Sequence, residues 1–272
     1  MIDSVVPVSA ERTSYISSLN RRKTFIKAAR ILILVLFFAI WEISAAAGII
    51  DPFIFSSPSK MLTSLIALAS TGTIFVHMGI TLAETALGFV LGTLIGTSAA
   101  VLLWWNKTVS DIAEPYLVVL NSLPKTALAP IIIVWIGNNV NSVIATALMT
   151  SVIVTVLSVL NGFLEVDKEK IKLVETFGGT KKQILTMVVL PASVPAIVSS
   201  LKINVGLSFV GVIVGEFLVA KAGLGYLIVY SSQIFKMDHV MLSVILLAVM
   251  AAVLYKCVVL FEKHINKKWG YK

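Results

Sequence analysis

The chain's 272 residues are 58% hydrophobic and 13% charged, with a mean hydropathy of +0.96, which is more apolar surface than a soluble core of this length can hide. A lipid bilayer must therefore be its main solvent. The single cysteine, Cys257, excludes an intrachain disulfide framework and a cysteine metal site. The net charge of +8 raises the question of nucleic acid, and the placement of the basic residues answers it against that partner.

In chain order, residues 1–30 are polar, Ser-rich and without period, which predicts a mobile tail ending in a basic cluster. A first apolar span, 31–49, is too long and too basic in its flank to be a cleavable signal, and it is expected to stay as an anchor. Ser57-Pro58-Ser59 supplies a cap and a proline suited to a first helical turn. Met61, Leu62, Leu65, Ile66 and Leu68 follow at helical spacing, too few to span, so a short helix lying along the outer face is expected. The spans 80–105, 144–163, 196–220 and 240–261 each reach the roughly 20 residues needed to cross about 30 Å of hydrocarbon. A further span, 115–137, is interrupted by Pro124, Lys125 and Pro130, giving six helices of which one is broken or kinked. Gly88, Gly92 and Gly96 form two overlapping GxxxG units, repeated by Gly211 and Gly215, and predict close helix packing.

Laid out alternately across the membrane, the basic residues partition by side. Arg12, Arg21, Arg22, Lys23, Lys27, Arg30, Lys107, Lys168, Lys170, Lys172, Lys181, Lys182, Lys256, Lys263, Lys267, Lys268 and Lys272 fall on one side, and only Lys60, Lys221 and Lys236 on the other. Seventeen against three makes both termini and the 164–193 loop cytoplasmic. The excess sets topology and meets anionic lipid headgroups, not nucleic acid.

The 164–193 loop departs most from the apolar background. Glu165, Asp167, Lys168, Glu169, Lys170 and Lys172 surround Ile171, Val174 and Phe177, which recur three residues apart as in an amphipathic helix outside the membrane. Gly178-Gly179 permits a sharp turn. Thr180 with Gln183 matches a capping box opening a second helix to Leu190, stopped by Pro191, and Ser193 and Pro195 start the next span. A helix, a glycine elbow and a second helix joined to a span form a part able to transmit force to or from a soluble partner.

Lys172-Leu173-Val174-Glu175-Thr176-Phe177-Gly178, followed by Ile184 and Leu190-Pro191, resembles the EAA loop of bacterial ABC importer permeases, although the initial Glu-Ala-Ala reads Lys172-Leu173-Val174 here. Leu123-Pro124-Lys125-Thr126-Ala127 with Pro130 and Trp135-Ile136-Gly137, and Gly215-Glu216 followed by Gly223-Leu224-Gly225-Tyr226, are similar to the branch serving nitrate, sulfonate, taurine, bicarbonate and thiamine-precursor uptake. These matches run in the family's order over roughly residues 58–264.

The resemblance implies an all-α integral membrane protein of the bacterial inner membrane, with six transmembrane helices, the type I ABC importer permease fold and a cytoplasmic coupling helix. It implies domains of a cytoplasmic tail (1–30), a permease domain (31–264) and a second cytoplasmic tail (265–272). It further implies a homodimeric pore, a separate dimeric ATPase, and an extracytoplasmic binding protein that delivers a small solute, either a sulfonate- or taurine-like organic anion or a thiamine-precursor-like compound. Contact with the ATPase is implied for Ile171, Val174, Glu175, Phe177, Gly178 and Gly179. The chain itself has no GxxxxGK[ST] with which to cradle nucleotide phosphates, so no cofactor, metal or catalytic residue is expected in it.

Lys125 lies ten residues beyond Pro115, about 15 Å along a straight helix and so near the bilayer centre. A cation between two prolines fits either the translocation pathway, together with Pro124 and Pro130, or a carbonyl contact that stabilises the break. Glu216 matches a family position near the outer gate, whereas Lys202 reads as structural and Asn121, Asn161 and Asn204 as interhelical hydrogen-bond partners. Asp238 and His239 suit a helix cap, and His77 and His264 show no metal-ligand spacing.

The alternatives are an ATP-independent secondary transporter or channel, an intramembrane enzyme and a membrane scaffold. A secondary transporter would need inverted repeats or several paired intramembrane charges. The enzyme reading fails on the absence of HExxH and GxSxG, and on an expected absence of paired carboxylates within the spans.

Overall fold

The computed structural model describes residues 10–269, and the regular elements among them are all helical. The chain divides into two units, Met1–Thr63 and Ser64–Lys272.

In the first unit, α1 (Ala10–Ala46) is one helix of 37 residues. The expected tail is therefore helical from Ala10 onward, and only residues 1–9 of it lie outside the described residues. No glycine or proline interrupts 10–46, and the basic cluster is made of good helix formers, so nothing stops the span's helix from running back through it. α2 (Pro52–Phe55) is a single turn capped by Asp51, whose carboxylate accepts from the Phe53 N–H at 2.8 Å. α3 (Pro58–Ser70), the short helix the sequence predicts, starts in this unit and runs past its boundary at Thr63. Ser59 donates to Glu42 of α1 through both its N–H (3.0 Å) and its hydroxyl (2.8 Å).

The second unit is built around α7 (Val140–Leu164), which packs between α4 (Thr73–Trp105) and α10 (Leu190–Val219). The glycine strips make that approach possible. A methyl group added at Gly88 would lie 2.8 Å from Ala147 Cβ, and one at Gly96 would lie 2.6 Å from Thr155 Cβ. One turn along α7 from Ala147, a methyl group at Gly215 of α10 would lie 2.8 Å from the Val143 Cα. Short polar side chains bridge the same contacts: Thr150 Oγ1 donates to the Leu207 carbonyl at 3.0 Å and Ser193 Oγ to the Gly162 carbonyl at 2.9 Å.

The interrupted span is broken at a right angle. α5 (Lys107–Ser122) ends at Leu123, held extended by the proline that follows it. A 3-10 turn (Lys125–Leu128) then leads into α6 (Ala129–Ile136), with 88° between the two halves. The straight-helix depth expected for Lys125 therefore does not apply, because the bend comes before it.

The polar loop forms α8 (Lys168–Thr176) and α9 (Lys181–Ile184). Pro191 does not stop the second helix. A π-turn at Leu185–Val189, in which the Leu190 N–H reaches back to the Leu185 carbonyl, joins α9 directly to α10, so the helix runs unbroken from Lys181 to Val219 with Pro191 in its course. The wider turn shifts the hydrogen-bond register where proline lacks a donor. α11 (Leu224–Gln233) and α12 (Met237–Trp269) complete the unit. A cluster of Ile74, Phe209, Leu224, Leu227, Leu247 and Met250 ties them to α4 and α10.

Candidate functional site

Three features of the second unit carry chemistry or mechanical connection. The first is the elbow between α8 and α9. Asp167 caps α8 by accepting from the Glu169 N–H at 2.9 Å, and the Thr180–Gln183 capping box forms as the sequence predicts, with Gln183 Oε1 accepting from the Thr180 N–H at 2.7 Å. Gly178 has φ +76°, the left-handed conformation that lets the chain reverse, and a side chain added there would meet nothing within 4 Å. Gly179 is different: its backbone packs against Val174, leaving no room for a Cβ.

The six residues implied as ATPase contacts divide between two faces. Ile171 and Val174 pack inward on the core cluster formed by Leu160, Phe163, Ile184, Leu185 and neighbours, and Gly179 is folded beneath them. Glu175, Phe177 and Gly178 face outward, with Phe177 83% exposed, joined by Leu173, which the sequence argument passed over. Lys181 fastens the elbow to the end of α4. Its ammonium donates to the Trp105 carbonyl at 2.6 Å and lies 5.7 Å from the Trp104 ring centroid, satisfying a terminal carbonyl at the negative end of the helix.

The second feature is the broken span. Lys125 Nζ donates to the Asn121 carbonyl at 2.8 Å and to its side-chain oxygen at 3.3 Å, so the cation folds back over the last turn of α5. Pro124 and Pro130 are both exposed. Of the other polar groups in the spans, Asn204 donates to the Thr93 hydroxyl and Lys202 pairs with Glu262 at 2.9 Å, both between helices, as the sequence reading expects.

The third is a polar knot at the end of the unit where α4 begins and α10 finishes. Glu216 of α10 is 1% exposed. Its Oε1 accepts from the Thr81 hydroxyl of α4 at 2.6 Å and its Oε2 from the Gly225 N–H at 2.6 Å. Thr81 in turn accepts from the Leu224 N–H at 2.8 Å, and His77 Nδ1 accepts from the Gly223 N–H at 3.0 Å. The first turn of α11 is thus wrapped over a carboxylate, with the Gly225 N–H directed at it and the Gly223 and Leu224 N–H groups taken by His77 and Thr81. Any side chain at Gly223 or Gly225 would collide with Glu216, which is the physical reason for glycine at both positions of Gly223-Leu224-Gly225.

Glu84, one turn beyond Thr81 on α4, brings a second carboxyl against that of Glu216. It is 4% exposed, and its Oε2 has no hydrogen-bond partner. The expectation of no paired carboxylates within the spans is therefore wrong. Each span holds a single glutamate, and only the helix packing brings the two together. Glu84 also lines a cavity of 490 Å³ between α4, the start of α7 and the end of α10. Among the described residues, no group of three or more His, Cys, Asp or Glu side chains is arranged to hold a metal ion.

The family described as "Binding-protein-dependent transport system inner membrane component" matches residues 88–271. A formylaminopyrimidine transport permease, ThiX, of Halalkalibacterium halodurans is 32% identical over 195 residues, covering 72% of this chain and 77% of the relative. The aliphatic sulfonates permease SsuC of Bacillus subtilis, named as putative, is 25% identical over 84% of this chain and 83% of its own length. The taurine permease TauC of Escherichia coli is 23% identical over 79% of this chain and 80% of its own. Among solved structures, the inward-facing MetNI methionine ABC transporter shares the fold with a TM-score of 0.57 and 21% identity, over 68% of this chain and 93% of that one. An amino acid ABC transporter does so at 0.57 and 19%, over 74% and 97%. The chain has the type I ABC importer permease fold and belongs to the family of inner membrane components of binding-protein-dependent transport systems.

Proposed function

We propose that this chain is the membrane-spanning subunit of an ATP-driven importer, taking its energy from a separate ATPase that docks on the outward face of α8. The observation that carries this reading is the two-faced elbow. One face, Ile171 and Val174, is locked into the bundle, and the other presents Leu173, Glu175 and Phe177 to a partner. A helix fixed at its back and open at its front moves with α4, α7 and α10 when pushed, which is what coupling to an ATPase requires. The seventeen-to-three distribution of basic residues supports a cytoplasmic elbow and cytoplasmic termini, so the Glu84–Glu216 end faces the extracytoplasmic binding protein. A second copy of this chain completes the pore, and the residues beside it include Lys125, Pro124 and Pro130 of the broken span, with Glu216 buried in the knot behind and holding the start of α11 in place. The cargo is a small solute. Permeases named for formylaminopyrimidine, aliphatic sulfonates and taurine define two classes, a nitrogen heterocycle and an organic anion.

The test is affinity purification of the chain in mild detergent from its native membrane, with Gly178→Asp beside it. At φ +76° with open space around it, aspartate at this position costs about 1 kcal/mol of local strain and leaves the bundle assembled. An ATPase and a binding protein recovered with the native chain, and loss of the ATPase and of uptake in the variant, are the expected results. Normal uptake by the variant, or recovery of the chain alone, would overturn the reading. The buried carboxyl pair is the one observation that favours an ATP-independent, ion-coupled carrier, and recovery of the chain alone would favour that reading instead.

A further inference from the structure

The knot where α4 begins and α10 finishes holds two carboxyls, and the start of α11 hangs on one of them. The first N–H groups of a helix have no partner inside it. Here each of three in a row ends on a side chain of α4 or α10: Gly223 on His77, Leu224 on Thr81 and Gly225 on Glu216. His77, Thr81 and Glu84 recur along one face of α4, so the start of α11 is only as firm as the contact of that face with Glu216 of α10.

Glu84 and Glu216 meet at that contact, carboxyl hydrogen-bonded to carboxyl. Two carboxylates have no donor between them, so this bond contains a proton. Its place follows from the other bonds. Glu216 accepts from the Thr81 hydroxyl and from the Gly225 N–H, both at 2.6 Å, which are the partners a carboxylate needs. Among the described residues nothing donates to Glu84 Oε2, which is sealed from solvent. The carbonyl oxygen of a neutral acid tolerates that position far better than a carboxylate oxygen does. Glu84 is thus the neutral acid, donating to the Glu216 carboxylate. Removing its proton would leave two like charges in contact, with no donor for the second. Glu84 also forms part of the wall of the 490 Å³ cavity, whose rim carries the exposed Asn138 and Lys221, so a small parting of α4 and α10 admits water to the pair.

We propose that Glu84 is a proton-held latch: as a neutral acid it fastens α4 to α10 through Glu216 and so seats the start of α11, and loss of its proton at alkaline pH releases that turn. The inference goes beyond the importer reading and rests on it only for the side of the membrane that supplies the proton, the extracytoplasmic one. The other titratable groups on the elements packed here are His77 on α4, Lys221 after α10, Tyr226 and Tyr230 on α11, and Lys236, Asp238 and His239 where α12 begins; α6 and α7 contribute none. His77 works in the opposite sense. A proton on its Nδ1 displaces the Gly223 N–H, so it loosens the turn on acidification.

The test is hydrogen–deuterium exchange at the amides of residues 223–225 in the full chain in lipid nanodiscs, where both faces meet the same buffer, with Glu84→Gln and Glu84→Leu beside it. Gln keeps a donor to Glu216 that alkali does not remove, and every other titratable group is retained. The ratio of native to Gln exchange rates at each pH therefore cancels intrinsic exchange chemistry and titrations elsewhere. That ratio is expected to be near one at about pH 6 and to rise about tenfold or more by about pH 10. Leu, which has no donor, should exchange faster than the native chain at the lower pH. The native chain at that pH should also show the infrared carbonyl band of a protonated carboxyl, lost in Glu84→Gln. A flat ratio, a Leu variant as protected as the native chain at the lower pH, or a band that persists in the Gln variant would overturn the latch. The assay needs neither ATPase nor cargo. A flat ratio beside a recovered ATPase removes the latch and keeps the importer, whereas the expected ratio from a chain recovered alone keeps the latch and removes the importer.

Discussion

Thr81 does two jobs with one hydroxyl: it donates to Glu216 and accepts from the first turn of α11. Thr81→Val keeps the shape and removes both bonds, leaving a buried carboxylate oxygen and a buried N–H short of a partner. The expected loss is about 2–4 kcal/mol of stability, taking about 1–2 kcal/mol for each orphaned group, measurable as a lower midpoint of thermal unfolding in detergent. Thr85→Val is the contrast, because its hydroxyl bonds only to the carbonyl one turn back, at Thr81, and its loss should cost under about 1 kcal/mol. Equal effects from the two substitutions would mean that the knot contributes nothing beyond its packing. Glu216 and the Gly223-Leu224-Gly225 run were legible in the sequence as a pattern, but the reason for the pattern was not. The glycines are required by a carboxylate on another helix, and Glu84 joins the pair across a similar separation to the 135 residues between Thr81 and Glu216. Helical periodicity reports neighbours one turn apart and carries no information of that kind.

At the scale of elements, the glycine strips are the part of the fold that sequence conveyed best, since GxxxG spacing has one physical use in an apolar helix and the structure puts it to that use. Not every helical glycine has it. A methyl group at Gly92 would lie 2.5 Å from Ser151 Oγ, whereas one at Gly206 meets nothing within 4 Å. Gly92→Val should force α4 from α7 and destabilise by about 1–3 kcal/mol. Gly206→Ala should be neutral or stabilising by up to about 1 kcal/mol, since it restores helix propensity without a clash. Unfolding midpoints of the two variants decide the matter, and equal losses would show that the strip is not the packing determinant. The elbow divides along the same logic. Val174→Asp buries a charge in the cluster beneath α8 and should destabilise the chain, while Phe177→Asp, at an 83% exposed position, should leave the unfolding midpoint unchanged and still release the ATPase. Sequence gave both residues the same role because a three-residue spacing places them on neighbouring faces without saying which face is covered. It also assigned Pro191 as a stop, since a π-turn has no sequence signature by which its register shift could be anticipated.

At the scale of the molecule, exposed apolar side chains of a membrane protein meet either lipid or another protein, and composition does not separate the two. The broken span offers a criterion. Its right-angle bend frees backbone groups around Leu123 and Pro124, and such backbone is tolerated at membrane depth only against protein or in a water-filled cavity. That argument puts the second copy of the chain, not lipid, against α5 and α6, where Tyr116, Val134 and Trp135 are 68%, 82% and 80% exposed. The single exposed Cys257 makes the idea easy to test, because Cys257→Ser gives a cysteine-free background. On that background Val134→Cys should form a disulfide-linked dimer under mild oxidation in the membrane. Val249→Cys, 53% exposed on α12, should remain monomeric under the same conditions, being on a helix with no broken backbone to cover. Cross-linking at Val249 and not at Val134 would place the partner on the opposite face and leave the freed backbone of the broken span to be satisfied by water. In that case the pathway would run along α5 and α6 within one copy of the chain, and Lys125, bound to the last turn of α5, would line it directly.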